Sequence, residues 1–380
     1  MSKRIEPVDG LRAFAVLGVL WVHVWMFFDN VAWKLGPVDV NRILSMGRNG
    51  VDLFFVISGF CMYVMYEKKS GRFDWTTYGN FLGKRFKRIA PAFYVLIMIE
   101  TVLILVKTGV FPGRTVLYHL FFINIFLPHN EFSPHYWSLA TEWEFYLVLP
   151  FLFLRDTGKK YFLIRVWALI LGCLVMRLLL FSRHSADIVA GVTVDSDAIW
   201  YRFIEFAAGI IAGKFYLENR QLPRWLQGGR GFVLSLMIAY AGRVCMMTEF
   251  VVKFKQAAFA VRALGEPIMT AGFGLMLFGL VTSESRVRQW ISRRPVLFAG
   301  KISYSMYLWH WLVSQYISNM IIARFHENIY SFYFAFLLSF IIAIPVSWLS
   351  YRLFEAPYFK KSREVSLRAT SDLEIAREVI

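Results

Sequence analysis

The 380 residues are 57% hydrophobic and 18% aromatic, with a mean hydropathy of +0.50, and only 18% are charged, yet the formal net charge is +16. A soluble domain is usually about 45–50% apolar, so the excess excludes an ordinary water-soluble fold and points to the bilayer. In a soluble chain this basicity would suggest nucleic acid, but no basic stripe lies on an otherwise soluble domain; Lys and Arg gather instead between apolar runs, as the positive-inside rule requires.

A bilayer core about 30 Å thick takes roughly 20 mostly apolar residues per helix. The first run, near 11–29, follows Lys3 and Arg4 and resembles a signal peptide. It carries Arg12 and His23, however, and no small-x-small cleavage site follows, so it reads as a retained span. Further runs lie near 50–66, 90–106, 115–127, 137–154, 161–181, 199–217, 231–248, 266–283, 301–323 and 331–354. The run 115–127 is short and holds His119 and Asn124, which suits a re-entrant or interfacial segment better than a span.

Charge counting agrees. If 115–127 does not cross, 28 of the 42 Lys and Arg fall on one side, ten on the other, and Arg12, Arg177, Arg202 and Arg243 lie within spans. If it crosses, the loop holding Arg155, Lys159, Lys160 and Arg165 faces outward, against the rule. The expected fold class is therefore an all-α polytopic membrane bundle of ten transmembrane helices plus one short re-entrant or interfacial helix. Both termini would be cytoplasmic, in the cytoplasmic membrane, with the membrane domain at 1–356 and a short polar tail at 357–380. Cys61, Cys173 and Cys245 all lie in apolar runs with no CxxC spacing, so neither a disulfide framework nor a zinc site is indicated.

Ionisable groups inside a membrane are costly and functional by default. Arg12 and His23 are eleven residues apart, so on a helix they share a face to within about 20° and stand about 16 Å apart in depth. If the run beginning at Trp137 enters from outside, Glu142 lies about 7 Å below that surface, and His23 about 9 Å below it. The two are then level, and a histidine beside a carboxylate is the usual general-base arrangement. Glu100, Asp52 and Glu205 also fall in that half, with Arg177, Arg202 and Arg243. Structural readings stand beside these. Arg12 alone suits a snorkelling anchor, a lone intramembrane His an interhelical hydrogen bond, and Arg202 with Glu205 an i,i+3 pair. Asp52 suits a helix cap, Ser58-Gly59 close helix packing, and Glu144 either the pore or a neighbour.

Five blocks tip that balance. Asp9-Gly10-Leu11-Arg12 with His23, the run Gly50 to Phe60 (GVDLFFVISGF), Arg85-Phe86-Lys87-Arg88 before Ile89-Ala90-Pro91, Trp137-Ser138-Leu139-Ala140-Thr141-Glu142 running on through Phe145-Tyr146 to Pro150, and Ser303-Tyr304-Ser305-Met306-Tyr307-Leu308-Trp309-His310 occur in this order. Together they resemble the signatures of the acyltransferase-3 family of membrane O-acyltransferases. The resemblance implies transfer of an acyl group, often acetyl, from acyl-CoA to a hydroxyl of a sugar, a lipid-linked glycan, a polysaccharide or a small molecule. It implies His23 as the leading catalytic residue with Arg12 as companion, and functional weight for Glu142, Arg85 and Arg88. Some members carry a further soluble esterase-like domain, for which this chain is expected to have no room.

The resulting expectation is that the nucleotide of acyl-CoA, a co-substrate rather than a tightly bound cofactor, binds a basic cytoplasmic loop at 84–88 and Arg12, gripped by Arg85 and Arg88. The thioester would meet the acceptor at His23, oriented by Glu142, with Asp52, Ser58, Tyr304, Tyr307 and His310 as supporting polar residues and no metal. The expected partners are acyl-CoA, a hydroxyl acceptor approaching from the outer face, and the bilayer, with no nucleic acid. Ser58 as an acyl-carrying nucleophile lacks the Gly-x-Ser-x-Gly elbow, and a transient acyl-His23 is a second minor route. Glycerolipid acyltransferase chemistry needs a His-x4-Asp pair that is absent here. The rival from another class is a transporter or glycan flippase using the same buried His, Glu and Arg, although no inverted repeat supports it.

Overall fold

The computed structural model describes residues 5–36, 38–67, 75–127, 131–152, 159–184, 187–188 and 196–358. Its principal helices are α1 (Glu6–Phe27), α2 (Gly50–Glu67), α3 (Trp75–Thr108), α4 (Gly113–Leu120), α5 (Trp137–Leu152), α6 (Lys159–Arg183), α7 (Ile199–Leu217), α8 (Gly228–Met246), α9 (Ala258–Thr282), α10 (Ser303–Phe325) and α11 (Ile329–Ser350). The all-α expectation holds, apart from a two-stranded hairpin, Lys34–Leu35 with Val38–Asp39, at the end of α1. Among the described residues six segments are long and apolar enough to cross a membrane: Glu6–Phe27, Val40–Glu67, Trp75–Thr108, Tyr161–Arg183, Ala258–Thr282 and Ile329–Tyr358. α5, α7, α8 and α10 pack among them but are shorter or more polar. α7, for example, carries Arg202, Glu205 and Lys214. The expected tail lies, beyond residue 358, outside the described residues.

The segment 115–127 forms only the eight-residue α4 and a 3-10 turn at Asn124–Phe126, too short to span. The basic segment 84–88, expected as a loop, is helical. α3 starts at Trp75 and runs unbroken through Gly83 and Pro91, so the basic residues form helical turns continuous with the apolar stretch.

Two devices fix the bundle. α2 and α7 touch backbone to backbone: a Cβ on Gly59 would strike the Phe206 carbonyl, and one on Gly209 the Val56 carbonyl. Small residues allow this approach where lipid gives helices no hydrophobic reason to associate. The second is a buried ion cluster. Arg202 Nη1 donates to Asp52 at 3.1 Å, Glu205 at 3.3 Å and Glu266 at 3.0 Å, while Arg177 pairs with the other oxygen of Glu266. The three carboxylates lie within 4.8 Å of one another, and the cation among them is a guanidinium. This ties α2, α6, α7 and α9 together. Asp52, expected to support the catalytic site, therefore serves this cluster, held also by Asn49 at 2.9 Å; the Arg202–Glu205 pair is found as expected.

Candidate active site

The first turns of α1 and α10, the middle of α3 at Arg88, and the first two-thirds of α2 and α5 enclose a chamber of about 90 Å³. Arg12, Arg88, Ser58, Cys61, Ser138, Glu142, Tyr146, Tyr304 and Tyr307 line it among apolar residues. Glu142 accepts from the Ser58 hydroxyl at 2.9 Å and from the Tyr146 hydroxyl, and both Glu142 and Glu355 act electrostatically on Arg88. Arg12 lies 3.4 Å from Asp9 and 3.6 Å from the Cys61 sulfur. Tyr304 donates to the Ile89 carbonyl at 2.7 Å. Arg85 does not share the chamber: it is buried against the Met65 sulfur at 3.4 Å and the Phe81 ring. The two arginines of the Arg-x-x-Arg element thus have different surroundings.

His23 lies beyond this chamber. Its Nδ1 is 2.7 Å from Nε2 of His310, with the rings stacked at 4.9 Å. His310 Nδ1 is 2.5 Å from the Tyr307 carbonyl. A carbonyl only accepts, so His310 Nδ1 carries the proton. With both rings neutral, which avoids a buried charge, His310 Nε2 accepts from His23 Nδ1–H. The His23 Nε2 lone pair is then left bare, as a general base requires. The group that orients His23 is therefore His310, not Glu142.

The expected level pairing of Glu142 with His23 fails for a local reason. The 3-10 turn Pro134–Tyr136 dips into the protein, with His135 and Tyr136 almost fully buried, so α5 begins inside the bundle rather than at its surface. Depth counted from Trp137 as a surface residue is consequently too shallow, and Glu142 falls on the Arg12 side. The same dip delivers His135, a residue passed over in the sequence because it precedes the Trp-Ser-Leu block. Its ring lies 4.7 Å from His310 and 6.3 Å from His23, and among the described residues neither ring nitrogen meets a partner with hydrogen-bond geometry.

Between chamber and histidines stands Tyr307. Its hydroxyl is 2.6 Å from that of Ser138 and donates to the His135 carbonyl at 2.9 Å. On the far side lies a second cavity of about 590 Å³, whose walls include Glu100, Lys107, Glu131, Trp311, Gln315 and Asn319. Along α10 the order is thus Tyr304 and Tyr307 in the first cavity, His310 between, and Trp311, Gln315 and Asn319 in the second; along α3 it is Arg88, then Glu100 and Lys107. The histidine layer separates two cavities at opposite ends of the bundle.

A family model described as an acyltransferase domain matches residues 5–352. O-acetyltransferase OatA of Staphylococcus aureus strain NCTC 8325 / PS 47 is 26% identical over 389 residues, an alignment covering 95% of this chain and 58% of that protein. The proteins of the same name from strains COL and MRSA252 match to the same extent. The chain thus spans rather more than half the length of these relatives. No solved structure matches it significantly.

Proposed function

This chain belongs to the acyltransferase-3 family and is an integral membrane protein, and from that premise we propose that it transfers an acyl group, acetyl by likeness to its relatives, from acyl-CoA to a hydroxyl of a carbohydrate or cell-surface glycan precursor. The observation that carries the reading is the His23–His310 pair, whose tautomer the Tyr307 carbonyl sets, held between two cavities.

In this reading acyl-CoA approaches from the cytoplasmic end, where Arg12 and Arg88 offer guanidiniums to its phosphates. Glu142 positions the Ser58 and Tyr146 hydroxyls along the path of the thioester arm. The Tyr307–Ser138 contact opens to bring the thioester to the histidine layer. The acceptor oxygen attacks the thioester carbonyl, its proton passes to His23 Nε2, and the C–S bond breaks as the tetrahedral intermediate collapses. The same proton then leaves on the CoA sulfur. His310 holds the imidazole in its working tautomer, a positioning role usually given to a carboxylate. Donor inside and acceptor outside would make the reaction trans-bilayer.

The test uses purified protein in detergent, where no compartments exist. Acetyl-CoA with an acceptor should release CoA thiol and yield an acetylated acceptor, and His23→Ala should lower that rate by about 10²–10⁴, the usual worth of a general base. A His23→Ala enzyme as fast as the parent removes His23 from the chemistry. A folded protein that never releases CoA with any acceptor favours transport.

A further inference from the structure

The second cavity has a chemistry of its own. At about 590 Å³ it falls within the range of small-molecule sites, about 300–1,000 Å³. One wall is α10, with Trp311, Gln315, Tyr316 and Asn319; another is the segment 131–134; the third is the end of α3, with Leu103, Ile104, Val106 and Lys107. The segment 131–134 is held rigidly. The buried Glu100 carboxylate accepts from the Ser133 amide at 2.8 Å, the Ser133 hydroxyl at 2.5 Å and the Tyr136 hydroxyl at 2.7 Å. Glu131 accepts from Thr115 at 2.8 Å, which joins this wall to α4.

Trp311 connects the cavity to the histidines. Its ring meets His23 edge-on at 4.9 Å and lies nearly parallel to His135 at 6.0 Å, and it directly follows His310 in the chain. Among the described residues of these walls Glu131 and Glu100 oppose one cation, Lys107, so the walls do not suit phosphate. Aromatic faces flanked by amides and a carboxylate suit a pyranose instead. Its C–H face carries the partial positive charge that an aromatic face attracts, and its rim of hydroxyls needs donors and acceptors in the plane of the ring.

We infer that this cavity is the acceptor subsite and that it takes a short saccharide, stacked on Trp311 and hydrogen-bonded through Gln315, Asn319 and Glu131, with a rim hydroxyl directed to His23. The inference rests on the acyl-transfer reading for its last step only; the binding of a saccharide stands on the cavity itself.

The experiment measures alkylation of Leu103→Cys, a wall residue with no part in the proposed hydrogen bonds, by a polar maleimide in the purified full chain, with the parent protein giving the background of Cys61, Cys173 and Cys245. Chitotriose, maltotriose and their methyl monosaccharides are the probes, and glycerol is the control. At ten times its dissociation constant a bound saccharide should slow alkylation about tenfold, since protection follows one plus the ratio of ligand to dissociation constant. Glycerol should not. Adding Trp311→Ala should abolish the protection, whereas Trp311→Phe, which keeps an aromatic face, should retain most of it. Protection by none of the saccharides, or equal protection in Trp311→Ala, overturns the inference. Acetyl-CoA assays on the same samples separate the two readings. Saccharide protection without CoA release leaves the subsite standing and defeats acyl transfer; transfer to a saccharide without protection defeats the subsite alone.

Discussion

Tyr307 holds Ser138 with its hydroxyl, 2.6 Å away, and His310 with its main-chain carbonyl, so one residue both closes the chamber near Arg12 and sets the tautomer of the histidine pair. The two functions use different atoms and can be separated. Tyr307→Phe removes the contacts to Ser138 and to the His135 carbonyl but keeps the carbonyl that serves His310. Because the Ser138 hydroxyl still donates to the His135 carbonyl at 3.1 Å, the cost should be about 0.5–1.5 kcal/mol for each lost hydrogen bond, read as a lowered unfolding temperature in detergent. The pH profile of the remaining activity should match the parent. A displaced pH profile would assign the phenol a direct part in proton transfer.

His310 offers the sharper test of the tautomer argument. In His310→Ala the His23 ring loses the acceptor for its Nδ1–H, and the two tautomers compete. The turnover number should fall by roughly 10²–10⁴, towards the loss for removing the base itself, because the two rings act as a unit. The Michaelis constant for acyl-CoA should change little. In the parent, kcat/KM should rise with pH to a plateau as the base loses its proton, and His310→Ala should flatten that rise. A His310→Ala enzyme with parental turnover would show that the 2.7 Å contact has no catalytic consequence.

Arg85 and Arg88 look equivalent in sequence and are not in the fold. Arg88 lines the chamber and Arg85 is buried beside Met65. Arg88→Ala should raise the Michaelis constant for acetyl-CoA about tenfold, with the gap narrowing at high salt, as a phosphate contact would. Arg85→Ala should leave that constant within about twofold but lower stability, since an arginine stem covers apolar surface. The reverse pattern in isotherms and melting curves would reassign the donor site to Arg85.

Much of the architecture was legible because the bilayer makes its demands in the sequence itself. The all-α class, the shortness of 115–127 and the pairing of Arg202 with Glu205 follow from helical periodicity and the cost of buried charge, whereas six long apolar segments stand among the described residues where ten spans were expected. The site was legible in part. His23, His310, Arg12, Arg88, Ser58, Glu142, Tyr304 and Tyr307 do gather around the two ends of one polar seam, yet their partners could not be read. Depth arithmetic needs a surface reference, and the buried turn at 134–136 removes it for α5. Asp52 went to the ion cluster because Arg202 lies 150 residues away and no local rule links them. His135 carried no signal of its own, since a histidine before a helix is usually a loop residue.

The ion cluster has an energetic consequence. Arg202 answers Asp52, Glu205 and Glu266 at once, and its own side chain is nearly buried. Arg202→Met would leave three buried carboxylates with Arg177 as the remaining guanidinium among the described residues and Asn49 still donating to Asp52. Removing one partner of a buried ion pair typically costs about 3–5 kcal/mol, so this variant should reach the membrane poorly and melt early. Arg202→Met combined with Glu205→Gln removes one charge of each sign and should recover part of the loss. If Arg202→Met melts like the parent, the cluster is not what binds α2 and α7 to α6 and α9.

The backbone contact between α2 and α7 yields the last prediction, with its control built into the same chain. α2 carries Ser58 and Cys61 on the chamber wall, and its distance from α7 is set by Gly59 and Gly209. A methyl group at Gly209 would land on the Val56 carbonyl, an atom that cannot rotate aside, so the helices must part. Gly209→Ala should cost about 1–3 kcal/mol, as overpacking does. It should also weaken acetyl-CoA binding, because α2 would carry Ser58 away from Glu142. Gly172, in the middle of α6, has nothing within 4 Å of an added Cβ. Gly172→Ala should therefore be neutral, or stabilising by up to about 1 kcal/mol through helix propensity. Paired melting curves decide the matter: equal behaviour of the two alanine variants would mean that α2 and α7 are not in backbone contact, and that the chamber wall is held by something else.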